Sequence, residues 1–462
     1  MARCYCRWRN VFICVCTPCI CMALLFVYVG IMVCTTIRNT TSLGTMGLYG
    51  SEITHFVASG NLRNKTSAPL PKTFWDIYPN GDALWNRLQL SIDRHFNPIL
   101  CPNNIKRRLE SSTFHETLLR QSFSGVIDLA KWRNFDRLPH LMQEFVRHMQ
   151  RRDYPALFQP DGICGAGAKD EKGPPLLLLA IKTTELNFKN RQAIRKTWGK
   201  VGWVAGQGRN SSGGKEGGGY VRRVFLLGKE NPEELGVNSS ELLQMENKRY
   251  GDILQWDFKD TFFNLTLKDV LFWSWFSRVC GQTHFVLKGD DDVLVNTPKL
   301  ITYLQEQLKK PQAQETIKDF MIGDVIGAAL PNRVNNSKYF VPDSFYKGFY
   351  PSYAGGGGVV YSGLLTKRLH IMSKRVHLFP IDDVYVGMCM VRLNAQPIHH
   401  PAFLTFDFPG KEEENVCSYH RVLLVHKRSP SQIVQLWADM EKTQTQCWNV
   451  PLRDPVTNGN KL

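Results

Sequence analysis

The sequence predicts an α/β fold built on a central, mostly parallel sheet, and three observations carry that prediction. From about residue 173 onward, short apolar runs alternate with segments of helical periodicity. The apolar runs are nearly continuous, as in strands covered on both faces. One of them, Phe285-Val286-Leu287-Lys288-Gly289, drives into Asp290, Asp291 and Asp292 and returns to Val293-Leu294-Val295. Ligands of such sheets sit beyond the carboxyl ends of the strands, which is where this triplet falls.

The elements follow from the N-terminus. Residues 11–37 run for 27 positions without a charge, between Arg9 and Arg38. A helix of that length, at about 1.5 Å per residue, exceeds the ~30 Å hydrocarbon core. The run is too long for the apolar region of a cleaved signal, and no clear small-residue cleavage site follows. Arg3, Arg7 and Arg9 crowd its short side, which keeps that side cytosolic. The expectation is a cytosolic tail (1–10), a transmembrane signal-anchor helix (11–37) that tolerates Pro18, and a lumenal remainder.

Residues 38–75, rich in Thr, Ser, Gly and Asn, read as a stem. Residues 76–172 carry Trp, Leu and Phe at helical spacings and read as a helical extension. A helix over 138–152 places Leu141, Phe145, Val146 and Met149 on one face. In the body, 173–462, strands are expected at 176–181, 224–227 and 285–287. Helices are expected at 191–199 and at 268–278, the latter carrying Trp273 and Trp275. The insertion at 206–219, GQGRNSSGGKEGGG, cannot pack and reads as a mobile surface loop.

The chain has 462 residues and a net charge of +16 spread over many segments. A lumenal body argues against nucleic acid as the anionic partner. Of 13 cysteines, Cys4, Cys6, Cys14, Cys16, Cys19, Cys21 and Cys34 lie in or beside the apolar span. Cys4 and Cys6 are candidates for acylation. Cys101, Cys164, Cys280, Cys389, Cys417 and Cys447 suit up to three disulfides in an oxidising lumen, and none has zinc-site spacing. Asn64, Asn210, Asn238, Asn264 and Asn335 are glycosylation candidates, while Asn39 sits too near the membrane.

Three like charges in a row are unfavourable unless something positive neutralises them. Extended chain alternates its side chains, so Asp290 and Asp292 point one way and Asp291 the other. Two hard oxygen ligands on one side suit Mg²⁺ or Mn²⁺ bound together with a phosphate. A solvated acidic turn is the other reading. A calcium loop needs a glycine and a distal glutamate that are not at the required positions. Asp382 and Asp383 precede an amphipathic stretch, where such residues ordinarily cap a helix. Gly355-Gly356-Gly357-Gly358 follow Tyr350 and Tyr353, a pattern that fits either a strained turn or close backbone approach to a ligand flanked by a sugar-stacking ring.

Taken in chain order, these segments carry a resemblance. Arg191-Gln192-Ala193-Ile194-Arg195-Lys196-Thr197-Trp198-Gly199, the VFLLG run at 224–228, Gly251-Asp252-Ile253-Leu254 and Phe263-Asn264-Leu265-Thr266-Leu267-Lys268 come first. The LKGDDDVLV run, the four glycines and Ile381-Asp382-Asp383-Val384-Tyr385-Val386-Gly387 follow. The series resembles the Golgi beta-1,3-glycosyltransferases. It is most similar to the beta-1,3-N-acetylglucosaminyltransferases that make poly-N-acetyllactosamine. The resemblance is dense from about residue 176 to 426. Departures at Leu287, Ser352 and 359–360, and the 206–219 insertion, touch none of the metal or base positions below.

The resemblance implies a GT-A-type nucleotide-sugar transferase fold behind the anchor, stem and helical extension. It implies inverting transfer of GlcNAc from UDP-GlcNAc, in beta-1,3 linkage, to terminal galactose of lactosamine-type glycans at the Golgi membrane. Single in-line displacement needs a carboxylate to take the acceptor proton and a divalent cation to neutralise the leaving diphosphate. Asp383 is the expected base, with Asp382 the alternative. Asp292, His426 and Asp290 are the expected ligands of Mn²⁺, with Mg²⁺ in its place as the alternative. Lys182, Arg191, Arg195, Asp252, Asp290 and Asp291 are expected around the nucleotide sugar, and Tyr353, Gly356 and Gly357 around the acceptor. Partners would be the UDP-sugar, a glycan on glycoprotein or glycolipid, the Golgi membrane, and a homo- or hetero-dimer mate among related transferases. Two alternatives stay open: a beta-1,3-galactosyltransferase using UDP-galactose, and a catalytically silent partner of a sister enzyme.

Overall fold

The computed structural model describes residues 83–96 and 135–453, apart from 161, 163, 170, 208–216, 232, 234–235 and 237–238. The expected tail, membrane span and stem lie outside the described residues. So do Cys101, most of the 206–219 insertion, and Asn39, Asn64, Asn210 and Asn238. Among the described residues no helix is long and apolar enough to cross a membrane.

In chain order the helices are α1 (Leu84–Phe96), α2 (His140–His148), α3 (Phe188–Lys196), α4 (Ser240–Tyr250), α5 (Leu265–Val279), α6 (Thr297–Lys309), α7 (Ala313–Lys318), α8 (Gly363–Ser373), α9 (Asp382–Arg392) and α10 (Pro430–Thr443). The strands of the main sheet are β1 (Ala156–Phe158), β2 (Leu177–Lys182), β3 (Gly202–Ala205), β4 (Gly218–Lys229), β5 (Ile253–Lys259), β6 (Phe285–Asp290), β8 (Met321–Ile326), β9 (Tyr353–Ser362) and β10 (Ile398–His399). β7 (Leu294–Val295), β11 (Phe403–Leu404) and β12 (Leu424–Val425) form a separate small sheet.

The large sheet runs β1-β5-β4-β2-β6-β9-β8-β10, with β3 beside β4. Its centre, β5-β4-β2-β6, is parallel. β9 is antiparallel to both β6 and β8, and β1 and β3 run antiparallel at the other side. β10 runs parallel to β8 at the far edge. The sheet is therefore mixed, and the expectation of a mostly parallel sheet holds for its four central strands and this edge pair alone. A parallel neighbour needs a crossover connection, usually helical. The chain supplies helices between β2, β4, β5 and β6, but reaches β9 from β8 through the loop 327–352, which lets β9 return antiparallel.

Every residue of β2 is buried. Leu178 and Ala180 pack into one core layer with α5, α8 and α9. Leu177, Leu179 and Ile181 pack into the other with α3, α6 and α10. α5 is apolar on most sides, as expected of a helix wedged against both sheet and neighbours. α3 begins three residues before the expected 191 and ends at Lys196, after which Thr197 turns its hydroxyl back to the Ala193 carbonyl at 2.7 Å. α2 is shorter than expected, and it buries Met142, Phe145 and Val146 while Leu141 is 46% exposed. The true face starts one position later than the sequence reading placed it.

Two disulfides form among the described residues. Cys164–Cys280 ties the entry to the body onto the end of α5, and Cys417–Cys447 ties the loop before β12 to the turn after α10. Cys389, inside α9, is a buried free thiol.

α1 docks on the far end of the layer that carries α9. Trp85 Nε1 donates to the carbonyls of His377 and Leu378 at 3.2 and 3.1 Å. Gln89 donates to Arg375 O and accepts from His377 N. Asp93 takes the Arg392 guanidinium with both oxygens, at 2.9 and 2.7 Å. Both partners are buried. Asp93→Asn leaves Arg392 charged and uncompensated, which should cost about 3–5 kcal/mol. Urea unfolding of the variant checks this, and a loss under about 1 kcal/mol would show the pair to be solvated rather than buried.

Candidate active site

The site is assembled at the carboxyl end of the parallel strands. In the β2–β6 register Lys182 faces Asp290 and Ala180 faces Lys288. Strand alternation then puts Lys182, Lys288 and Asp290 on one face, the face covered by α5 and α9. α5 contributes Asp269 and the first turn of α9 contributes Asp382 and Asp383.

These groups form one chain of charges. Lys288 Nζ lies 2.7 Å from Asp269, 3.5 Å from Asp382 and 3.7 Å from Asp383. Lys182 Nζ lies 2.6 Å from Asp382 and 3.1 Å from Asp290. Burial opposes the charge on each lysine, yet the surrounding carboxylates hold both amines above their ordinary value. Two ammonium groups thus serve four carboxylates, and the site keeps an acidic excess.

Asp382 and Asp383 sit in different environments. Asp382 is 8% exposed. Burial alone would raise its pKa, but Lys182 and Lys288 hold it well below the usual carboxylate range. Asp383 keeps 26% of its side-chain surface and touches lysine only at 3.7 Å. Burial and the neighbouring Asp382 charge push its carboxyl up to about 7, against the pull of Lys288 and Lys182. One carboxylate is locked as a charge, while the other faces the opening and is poised to exchange a proton.

Asp290, Asp292 and His426 come together as a second group, with potential ligand atoms within 4.8 Å of one another. The small sheet makes this meeting. β12 runs antiparallel to β7, with Val425 opposite Leu294. The residue after β12, His426, therefore stands against the turn before β7, which holds Asp292. Arg428 N donates to Asp292 O at 2.7 Å and fixes that turn. His426 Nε2 lies 3.3 Å from Asp292 Oδ1. Burial disfavours both charges, but their pairing raises the imidazole and lowers the carboxyl.

Asp291 points the other way. Its Oδ2 accepts from Thr183 at 2.5 Å and from Asn187 at 2.9 Å, and Asn190 donates to its carbonyl at 3.2 Å. Burial pushes it up to about 6 despite those bonds. It clamps the start of α3 to the β6–β7 turn.

The glycine run lies inside β9 and forms the wall between the two acidic groups. Gly356 and Gly357 have φ of +84° and +82°, where side chains are strained. A Cβ on Gly355 would stand 3.4 Å from Asp383 Oδ2, one on Gly356 would collide with Thr405, and one on Gly357 would come within 2.6 Å of the His426 ring. The run is thus a strand, and glycine is required by protein neighbours. Tyr353, half-buried, sits at the Asp383 end, and burial and that carboxylate push its hydroxyl up to about 12. Tyr350 is a core residue.

Arg191, Arg195 and Asp252 form a network of their own, joined to the site through Arg191 Nη1, which donates at 3.4 Å to the Thr183 hydroxyl that holds Asp291. Arg191 is fully buried and donates to Glu246 at 2.7–3.1 Å. Arg195 makes a fork to Asp252 at 2.9 and 2.7 Å and reaches Glu246 at 2.5 Å. Arg223 completes the cage of Asp252 at 2.7 Å. The structure does not bring these three into the Lys182–Asp290 group. Asn335 is exposed, whereas the Asn264 amide donates to Lys259 O at 2.8 Å.

Sequence reasoning missed Lys288, Asp269, Thr183, Asn187, Glu246 and Thr405 as members of the site and its frame. Lys288 alone left a signal, a charge two positions before Asp290 within a buried strand, where only a paired charge survives.

The Asp290–Asp292–His426 group fits a divalent cation of the Mn²⁺ or Mg²⁺ type. It offers two hard oxygens and one imidazole, and its carboxylates are 34% and 42% exposed, which leaves room for ligands from a substrate.

The galactosyltransferase family model matches residues 189–401. The chain is 38% identical over 391 residues to the Homo sapiens N-acetyllactosaminide beta-1,3-N-acetylglucosaminyltransferase 2, covering 84% of this chain and 92% of the relative. It is 38% identical over 313 residues to the Mus musculus N-acetyllactosaminide beta-1,3-N-acetylglucosaminyltransferase 4, covering 67% and 81%. It is 37% identical over 314 residues to the Rattus norvegicus UDP-GlcNAc:betaGal beta-1,3-N-acetylglucosaminyltransferase 7, covering 67% and 73%.

Gly357→Ala tests the wall. A methyl there must displace His426, so Mn²⁺ affinity should fall by about 10–100-fold, as for loss of an orienting neighbour. Titration of Mn²⁺ by electron paramagnetic resonance reads this directly, and unchanged affinity would separate His426 from the cation.

Proposed function

The chain belongs to the galactosyltransferase family, and on that footing we propose that it transfers GlcNAc from UDP-GlcNAc, in beta-1,3 linkage, to terminal galactose of lactosamine-type glycans. The donor and linkage follow the names of relatives that it matches across most of their length. The observation that carries the chemistry is the division between Asp382, locked by Lys182, and Asp383, open and raised.

In this reading the fold is of the GT-A type, with donor and acceptor meeting beyond β2 and β6. Asp290, Asp292 and His426 hold Mn²⁺, with Mg²⁺ as the substitute. The cation, when bound, neutralises charge on the leaving diphosphate. Asp383 takes the proton from the acceptor hydroxyl as that oxygen attacks the anomeric carbon. Asp382 stays ionised on Lys182 and keeps Asp383 above its ordinary pKa. Lys182, Asp290 and Asp291 border the nucleotide sugar, and Arg191, Arg195 and Asp252 brace the end of β2 beside it through the bond from Arg191 to Thr183. Tyr353 and the backbone of Gly356 and Gly357 line the acceptor side. The apolar 11–37 segment anchors the enzyme in the Golgi membrane with its body lumenal, Asn335 is an accessible glycosylation site, and a related transferase is a suitable dimer mate.

The test offers UDP-GlcNAc and UDP-galactose separately, with Mn²⁺ and a galactose-terminated lactosamine acceptor. GlcNAc transfer abolished by EDTA supports the reading, and preferred transfer from UDP-galactose overturns it. Asp383→Asn should lower kcat by about 10²–10⁴-fold while UDP binding persists, as expected for loss of a general base. An unchanged kcat would exclude Asp383 as the base, whereas no transfer by the unaltered chain from either donor would point to a non-catalytic family member.

The pH dependence has a definite sign. Asp383 works only as carboxylate, and its pKa in the free chain is raised to about 7. kcat/KM, which reports the free enzyme, should therefore be full above that value and fall as pH drops through it. A pH–rate profile that stays flat down to the ordinary carboxylate range would exclude Asp383 as base.

A further inference from the structure

The segment that delivers His426 has little regular structure to hold it. β12 is two residues long, below the usual length of a strand, and its ladder to β7 stops at Val425 opposite Leu294. His426 stands one position beyond, joined to β11 by one bond from its N–H to Leu404 O at 3.0 Å. The chain then leaves the extended form, because Lys427 takes a φ of +62°. In the facing segment Asp407 takes a φ of +93°, three residues after β11 ends at Leu404. Neither is glycine, and such backbone persists only where its surroundings impose it.

Arg428 imposes it. The side chain is buried, and each of its three nitrogens has acceptors. Nη1 donates to Asp407 Oδ2, His426 O and Lys427 O, each at 3.2 Å. Nη2 donates to Asp407 Oδ1 at 2.5 Å and to Glu413 Oε1 at 3.2 Å. Nε donates to the Tyr419 hydroxyl at 3.2 Å. The main-chain N–H of the same residue donates to Asp292 O at 2.7 Å. No nitrogen is left over for a substrate phosphate.

The choice of acceptors says what the residue is for. Asp407 and Glu413 would be enough to neutralise a buried arginine. The further bonds go to the backbone of His426 and Lys427 and to Asp292. They therefore converge on two of the three residues of the acidic group, whose side chains meet at 3.3 Å.

We propose that Arg428 is the positioning residue of the cation site. Its guanidinium holds the 426–427 backbone against the Asp407 turn and so sets the His426 imidazole opposite Asp292, while its N–H fixes the Asp292 turn. Arg428 touches no substrate and no reacting atom. The proposal rests on the reading of Asp290, Asp292 and His426 as cation ligands, and goes beyond it in naming what keeps them arranged before the cation binds.

Two variants test this in the full-length chain. Arg428→Lys keeps the positive charge and the N–H on Asp292, but one ammonium cannot span two carboxylates and two carbonyls. Asp407→Asn leaves the guanidinium fork one acceptor short, and asparagine tolerates left-handed backbone, so it serves even if Arg428→Lys does not fold. Mn²⁺ is titrated with UDP present and followed by electron paramagnetic resonance. Affinity should fall by about 10–100-fold in Arg428→Lys, and by less in Asp407→Asn, as for loss of an orienting neighbour. Pulsed spectra of the bound Mn²⁺ should show the imidazole nitrogen in the unaltered chain and a weakened or absent nitrogen coupling in Arg428→Lys. Thermal melts establish which variants are folded at the assay temperature. Folded variants with unaltered affinity and nitrogen coupling overturn the proposal and leave the cation site standing. A lowered melting temperature with both metal readouts unchanged overturns it too, since that is the mark of a structural role. Absence of nitrogen coupling in the unaltered chain overturns the cation site itself, and this proposal with it.

Discussion

Neutralisation of clustered carboxylates by two buried lysines is the constraint on which the rest of this molecule depends. Asp269, Asp290, Asp382 and Asp383 converge at the ends of the central strands, and Lys182 and Lys288 rise from those strands to meet them. Without the lysines the first turn of α9 could not approach β6, because like charges at such distances repel strongly in a low dielectric. With them, the helix is held against the sheet by charge as well as by its apolar face. The same arrangement separates two adjacent aspartates into a fixed charge and a titrating one. Structure and chemistry here have one cause.

The surrounding architecture supplies rigidity at the right points. The parallel centre of the large sheet sets the lysines and Asp290 in register, and the small β11-β12-β7 sheet delivers His426 to Asp292 from more than a hundred residues away. Asp291, turned inward, fastens α3 to the same turn. α1 secures the remote end of α9 through Asp93 and Arg392, so the helix bearing the site is fixed at both ends.

Much of this was legible in the sequence wherever local periodicity governs. The two-residue strand repeat separates Asp290 and Asp292 from Asp291, and continuous apolar runs mark the central strands. Pairings across long separations left no comparable trace. Arg191 and Arg195, four apart on one helix, read as a basic face open to anionic oxygens. Their partners, Glu246 and Asp252, lie more than fifty residues onward and take those guanidinium groups into the interior. Lys288 left the mark of a charge inside a buried strand, but nothing local identifies Asp269 as its partner. β9 was hidden for a different reason: its glycines suggest a turn, and only the approach of Thr405 and His426 explains a strand with two left-handed residues.

That strand has a consequence for how the site can change. Between Asp383 and His426 the wall is bare backbone, and a side chain added at Gly356 or Gly357 collides with Thr405 or His426. This stretch offers substitution nothing to adjust. If the proposed acceptor side is right, a shift in the sugar accepted falls to side chains beside this stretch, such as the half-open Tyr353. The chemistry and the choice of substrate are thereby placed on different kinds of residue, one set fixed by the lack of a Cβ and the other free to vary.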